Sequence, residues 1–164
     1  MHYNVKTCQY SWSTLSGIML DIGCGQSKEP NFVGMDKRAL SDVELVHDLE
    51  NFPYPLEDEV CLLIKGSHIV EHLKPWLMLD FMNELWRIMK KDGQLLLSHP
   101  YGVNSSYVQD PTHCNPCNEV TWLYFQVDHP LHSIYTPKPW AIEKGFPVWQ
   151  ATGNMEVVMR KVGG

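Results

Sequence analysis

Eight residues, Met19 to Gln26 (MLDIGCGQ), constrain this chain more than any others. A short apolar run ends in Asp21 and gives way to Gly23 and Gly25 at alternate positions. Glycine accepts backbone angles that side-chained residues resist, and without a Cβ it lets a bulky ligand lie on the main chain. A buried strand that breaks into such a loop is how open α/β sheets build a ligand floor at the carboxyl ends of their strands. Gly-x-Gly alone is weak; the spacing around it is what strengthens it. A second apolar run ends at Asp36, a third near Asp48, and a fourth at Ser67 and His68. Four strand-like runs, each delivering a polar residue at its carboxyl end, predict one crevice.

The pattern predicts strands over 17–22, 32–36, 43–47, 60–65 and 94–98. The connection from Gly23 to Asn31 is only nine residues. A parallel crossover normally takes a dozen or more and usually contains a helix, so this helix is expected to shrink to a turn. The clearest helix is predicted over 75–91, with Met78, Phe81, Met82, Leu85 and Met89 on one face and Asp80, Asn83, Glu84 and Arg87 on the other. Pro75 suits its first turn, Lys90 and Lys91 its last, and Asp92 with Gly93 its stop. Residues 1–16, with Tyr3, Tyr10 and Trp12, are read as an arm over the sheet or the ligand mouth. After Pro100 the composition changes: residues 100–147 hold seven of the eleven prolines and many aromatics. They are expected to form a rigid, irregular cap, with Asn118 capping a short helix through Gln126. Residues 148–151 and 156–162, joined at Gly153 and Asn154, predict a closing hairpin.

With 164 residues, 44% apolar and 20% charged, a single domain over 1–164 with a proper core is expected. A net charge of −6 without a Lys/Arg block argues against a nucleic-acid partner. Five cysteines, an odd number, in a domain large enough to need no staples favour a reducing compartment, hence a cytoplasmic protein. No signal peptide is expected in a start broken up by His2, Asn4, Lys6 and Gln9, and no apolar window is long enough to predict a membrane span.

Five segments taken together resemble a known family: LDIGCG at 20–25, VGMD at 33–36, HDL at 47–49, SHIVEHL at 67–73 and the DGQLLL strand at 92–97. In this order and spacing the chain is similar, over roughly residues 17–99, to the class I S-adenosylmethionine-dependent methyltransferases, especially the small type 11-like members. The resemblance implies an α/β, Rossmann-like sheet of seven strands in the order 3-2-1-4-5-7-6, the last antiparallel. It also implies S-adenosylmethionine as cofactor. Gly23 and Gly25 would admit its methionyl part, Asp21 would orient its ammonium group, Asp36 would accept its ribose hydroxyls, and Asp48 with the Leu49 backbone would address adenine. Cys24 and Ser67, in the matching segments, complete that set. The alternative is that Asp36 and Asp48 are turn carboxylates. The acceptor, a small molecule or glycan-like, would enter under the cap.

For the chemistry, His68 after the fourth strand is the first candidate base, imidazole being suited to proton transfer near neutral pH. His72 is read as structural. In the stretch DPTH, Asp110 could orient His113 as a second base, or could simply open a proline turn. A dinucleotide site fits poorly: there is no third glycine opening a helix, and Asp36 comes too soon after Gly23. Cys114, Cys117, His129 and His132 raise the alternative of a non-catalytic binding module with a zinc-held cap. The histidines are two residues apart rather than three to five, so no metal site is assigned.

Overall fold

The computed structural model describes residues 17–163; the arm expected over residues 1–16 lies outside them. Five parallel strands come first: β1 (Ile18–Ile22), β2 (Val33–Asp36), β3 (Leu45–Val46), β4 (Cys61–Ser67) and β5 (Met89–Pro100). Three more follow: β6 (Trp140–Ile142), β7 (Val148–Trp149) and β8 (Asn154–Lys161). The sheet runs β3-β2-β1-β4-β5-β8-β6, with β7 also paired to β8. β8 lies antiparallel to β5, from Gln94 opposite Arg160 to Pro100 opposite Asn154, and separates it from β6. The predicted α/β sheet, with its last strand antiparallel and inserted beside the fifth, is borne out.

Alternation along the strands decides where the core sits. Leu95, Leu97 and His99 of β5 and Met155, Val157 and Met159 of β8 are buried, whereas Leu96, Ser98 and Val158 between them are half-buried. Helix α1 (Met78–Ile88) turns Met78, Phe81, Met82, Leu85 and Ile88 into this core. Full burial of a side chain of that size contributes about 1.5–3 kcal/mol. Three short helices follow, α2 (Ser105–Val108), α3 (Glu119–Leu123) and α4 (His132–Tyr135). Asn118 caps α3 as expected, accepting from the Val120 and Thr121 amides, but the helix stops three residues before Gln126.

The structure corrects several boundaries. α1 ends at Ile88, short of the two lysines, because Met89 turns extended and bridges Cys61 in the core. The strand then bulges through Asp92 (φ 61°), and regular parallel pairing resumes at Gln94. The cap is not irregular throughout. Trp140 is completely buried and starts β6, a strand of three residues too short to show a periodicity. The connection from β1 to β2 has no helix at all. It is tied down instead, by the Glu29 amide donating to Asp21 Oδ2 (2.7 Å) and by ion pairs of Lys28 with Glu44 and Lys65 with Glu29. No helix among the described residues is long and apolar enough to cross a membrane.

Glu84, expected on the outer face of α1, is buried. Arg87 donates to both of its oxygens (2.9 and 2.6 Å) and the Tyr54 amide to one (2.6 Å). Burial alone would raise its pKa, but these hydrogen bonds and the Arg87 charge outweigh burial and hold it below 4.5. A depressed folded-state value gives stability that is present above the unfolded value and lost as pH falls through the folded one. The thermal unfolding midpoint is therefore expected to drop as pH falls below 4.5, and to drop less steeply in Glu84→Gln. Equal slopes in the two proteins would remove Glu84 from this role.

Candidate active site at the carboxyl edge of the sheet

A cavity of about 620 Å³ opens at the carboxyl ends of β1 to β4, within the usual range for a ligand site. From β1 it receives Gly23, whose φ is 65° and whose place a Cβ could not fill, since it would come within 2.1 Å of Ile69 Cγ2. From β2 it receives Asp36, and beyond β3 come Asp48 and Leu49. Asp48 Oδ1 accepts from the Glu50 amide (3.0 Å), and the Leu49 carbonyl accepts from the Tyr54 hydroxyl (2.9 Å). His68 follows β4 in a left-handed conformation (φ 56°), its amide donating to the Ser98 carbonyl (2.8 Å). Four strand ends thus meet at one wall, as the sequence predicts.

Asp36 is the most heavily bonded of these groups. Its carboxylate accepts from the amides of Gly25 and Arg38 (2.9 Å each) and from Arg38 Nε (3.0 Å). Burial would raise its pKa, but these bonds lower it on balance, so it is held as an anion. Arg38 was not singled out by sequence; the signal available was a cation two residues after a strand-ending acid. Its side chain is 58% exposed, so it can leave without a cavity behind it.

His68 sits between two partners. Its Nδ1 donates to Glu71 Oε1 (3.1 Å), which raises its pKa although burial works against it. Its Nε2 accepts from Asn154 Nδ2 (3.3 Å). Asn154 also leads to a second cavity of about 550 Å³, lined by Tyr101, Asn104, Glu119 and Trp149 and by Met155, the next residue along.

The other expected site residues are distributed unevenly. Asp21 does not line the larger cavity; it holds the Glu29 amide, and burial raises its pKa. Cys24 is buried, and burial first, then the charges of Asp21 and Asp36, push its thiol up to about 11. Gly25 supports Asp36, and Ser67 lies outside the lining. Asp110 does not hydrogen-bond His113, being 3.8 Å away from Nε2. It closes its own turn on the Thr112 amide (2.8 Å) and hydroxyl (2.7 Å), while the Tyr107 carbonyl accepts from His113 Nδ1 (2.8 Å). The cysteine–histidine set of the cap does not assemble. His129 Nδ1 accepts from the Leu131 amide and His132 Nε2 donates to the Pro137 carbonyl. Cys117 is buried, its thiol raised to about 12 by burial, while the Cys114 thiol meets the Leu73 carbonyl.

No protein-family model matches this sequence, and comparison with curated proteins finds no significant match. Solved structures do resemble it. The chain is similar to a SAM-dependent methyltransferase from Archaeoglobus fulgidus, at 17% identity and TM-score 0.64, over 88% of this chain and 86% of that one. It is similar to the CurJ carbon methyltransferase at 14% identity and TM-score 0.62, over 92% of this chain and 50% of that one. A SAM-dependent methyltransferase from Aquifex aeolicus matches at 18% identity and TM-score 0.57, over 90% and 84%. The chain has the fold of the class I S-adenosylmethionine-dependent methyltransferases.

Proposed function

We propose that this protein is an S-adenosylmethionine-dependent methyltransferase, with the donor in the larger cavity and a small-molecule or glycan-like acceptor in the smaller one. The observation that carries this reading is the convergence of Gly23, Asp36, Asp48, Leu49 and His68 on one cavity wall. The residues fit the donor on their own chemistry. A carboxylate kept ionised at the end of β2 suits a pair of ribose hydroxyls, and Gly23, lacking a side chain, presents bare backbone on the cavity wall to a methionyl chain. Asp48 Oδ2 and the Leu49 amide would address the adenine edge. S-adenosylmethionine carries no phosphate, so the helix missing after Gly25, whose N-terminus a dinucleotide would need, is no loss.

When bound, the donor supplies a methyl group already activated on a sulfonium sulfur. The chain must then align the acceptor, exclude water and take its proton. In this reading His68 serves the last task. With Nδ1–H fixed on Glu71, the Nε2 lone pair is the basic position, and an acceptor hydroxyl would displace the Asn154 amide from it. Tyr101 and Trp149 offer ring faces to a sugar or a planar acceptor, and Glu119 and Asn104 offer hydrogen bonds beside them. Calorimetric titration tests the donor assignment: S-adenosylhomocysteine is expected to bind in a 1:1 complex and NAD not at all. Binding of NAD alone would overturn it.

A further inference from the structure

The cap carries more than an acceptor wall. It brings His113 against the 3-10 turn at Val70–His72, so that a carboxylate oxygen of Glu71 and ring nitrogens of His72 and His113 lie within 4.8 Å of one another. We propose that these three side chains hold a divalent first-row transition-metal ion of the zinc class.

Each side chain is prepared for a cation. Glu71 is 1% exposed; Oε1 accepts from His68, and Oε2 is buried with no hydrogen-bond partner among the described residues. A buried carboxylate oxygen left unpaired is costly, and among the described residues no lysine or arginine forms an ion pair with Glu71. A cation at Oε2 removes that cost. His113 donates its Nδ1–H to the Tyr107 carbonyl, which fixes the tautomer and leaves Nε2 with a free lone pair. His72 is fixed in the same sense by a relay. The Thr112 hydroxyl donates to Asp110 Oδ1 (2.7 Å) and therefore accepts from His72 Nδ1 (3.0 Å), again freeing Nε2. Backbone and carboxylate-linked acceptors behind two imidazoles are the usual outer support of metal-binding histidines. This also gives Asp110 a task that its 3.8 Å separation from His113 denies it as a direct orienter.

Two imidazoles and one carboxylate form a set that suits zinc, and three protein ligands leave coordination positions open. His72 and Thr112 line the larger cavity, so an ion held by His72 would lie beside it. An ion there could take an acceptor oxygen as ligand and lower its pKa. That use rests on the methyl-transfer reading; ion binding does not.

The test is titration of chelator-treated protein with Co²⁺, followed by its visible d–d absorption, and then with competing Zn²⁺. One equivalent is expected to bind. His72→Ala, at an exposed position, should weaken Zn²⁺ at least about 100-fold, and Thr112→Val, which removes only outer support, about 10- to 100-fold. Cys117→Ala and His129→Ala should leave the affinity unchanged. Absence of a stoichiometric band would overturn the proposal and leave His72 and His113 as an edge-to-face contact (centroids 4.7 Å apart). So would a band lost in Cys117→Ala but kept in His72→Ala. S-adenosylhomocysteine is titrated into the same samples; if it fails to bind where Co²⁺ does, the donor reading falls and the ion site stands.

Discussion

Asp36→Ala is expected to weaken S-adenosylmethionine binding by about 2–4 kcal/mol, roughly 30- to 1,000-fold, through loss of two charge-assisted hydrogen bonds to the ribose. The structure adds a competitor to that expectation. Arg38 already donates to both oxygens of Asp36, at 3.0 and 3.3 Å, so the ribose would have to share or displace it. Asp36 is buried, but Arg38 reaches it from the solvent side, 58% exposed, and is rehydrated when it leaves, so losing this pair costs less than two ribose bonds gain. Displacement therefore wins on magnitude. Arg38→Ala is expected to leave donor affinity unchanged or slightly higher, and calorimetry on both variants separates the cases. If Arg38→Ala loses as much affinity as Asp36→Ala, the guanidinium holds the ligand and the carboxylate merely positions it. An anionic ligand would then fit the corner better than a ribose.

The sheet was legible because its signals are local and redundant. Each of β1, β2 and β4 is an apolar run stopped by a turn residue, and the buried set of α1 recurs at a helical spacing that no strand would need. What escaped is what long-range packing decides. Glu84 is polar by type and on the polar side by period, yet it is buried, because Arg87 one turn later and the Tyr54 amide thirty residues earlier satisfy it. β6 is three residues long, and only its pairing with β8 makes it a strand.

The candidate site divides along the same line. The residues at strand ends could be placed from sequence, since a strand end has one position relative to its sheet. Gly23, Asp36, Asp48, Leu49 and His68 all reach the cavity. Asp21 was one residue too early: in β1 it lies opposite Gly34 and Lys65, within the sheet, and its carboxylate serves the neighbouring loop. The residues of the cap were not placeable. Cys114, Cys117, His129 and His132 drew attention by spacing, but the fold sends Cys117 into the core and turns both histidines to local backbone. The juxtaposition of Glu71 and His72 with His113 brings together distant parts of the chain and has no periodicity to reveal it.

The largest effect on turnover is expected from His68. The position has φ 56°, where alanine is strained and asparagine is better tolerated. His68→Asn is therefore the cleaner variant: it keeps a short polar side chain and removes the base. It is expected to lower kcat by about 10²–10⁴ with donor affinity unchanged, measured as S-adenosylhomocysteine released at saturating donor. Such a loss has two explanations, a missing base or a misplaced acceptor, and the acceptor's acidity tells them apart. An acceptor already ionised at the assay pH needs no base, so its turnover should fall much less than that of an alcohol. Misplacement would cost both acceptors alike. Asn154→Ala supplies the opposite perturbation, because it frees His68 Nε2 from the amide that now occupies it. If His68 acts as the base, turnover of the alcohol should hold or rise in that variant. If it falls in both variants and equally for both acceptors, His68 and Asn154 form a structural pair closing the wall between the two cavities, and the proton leaves by another route.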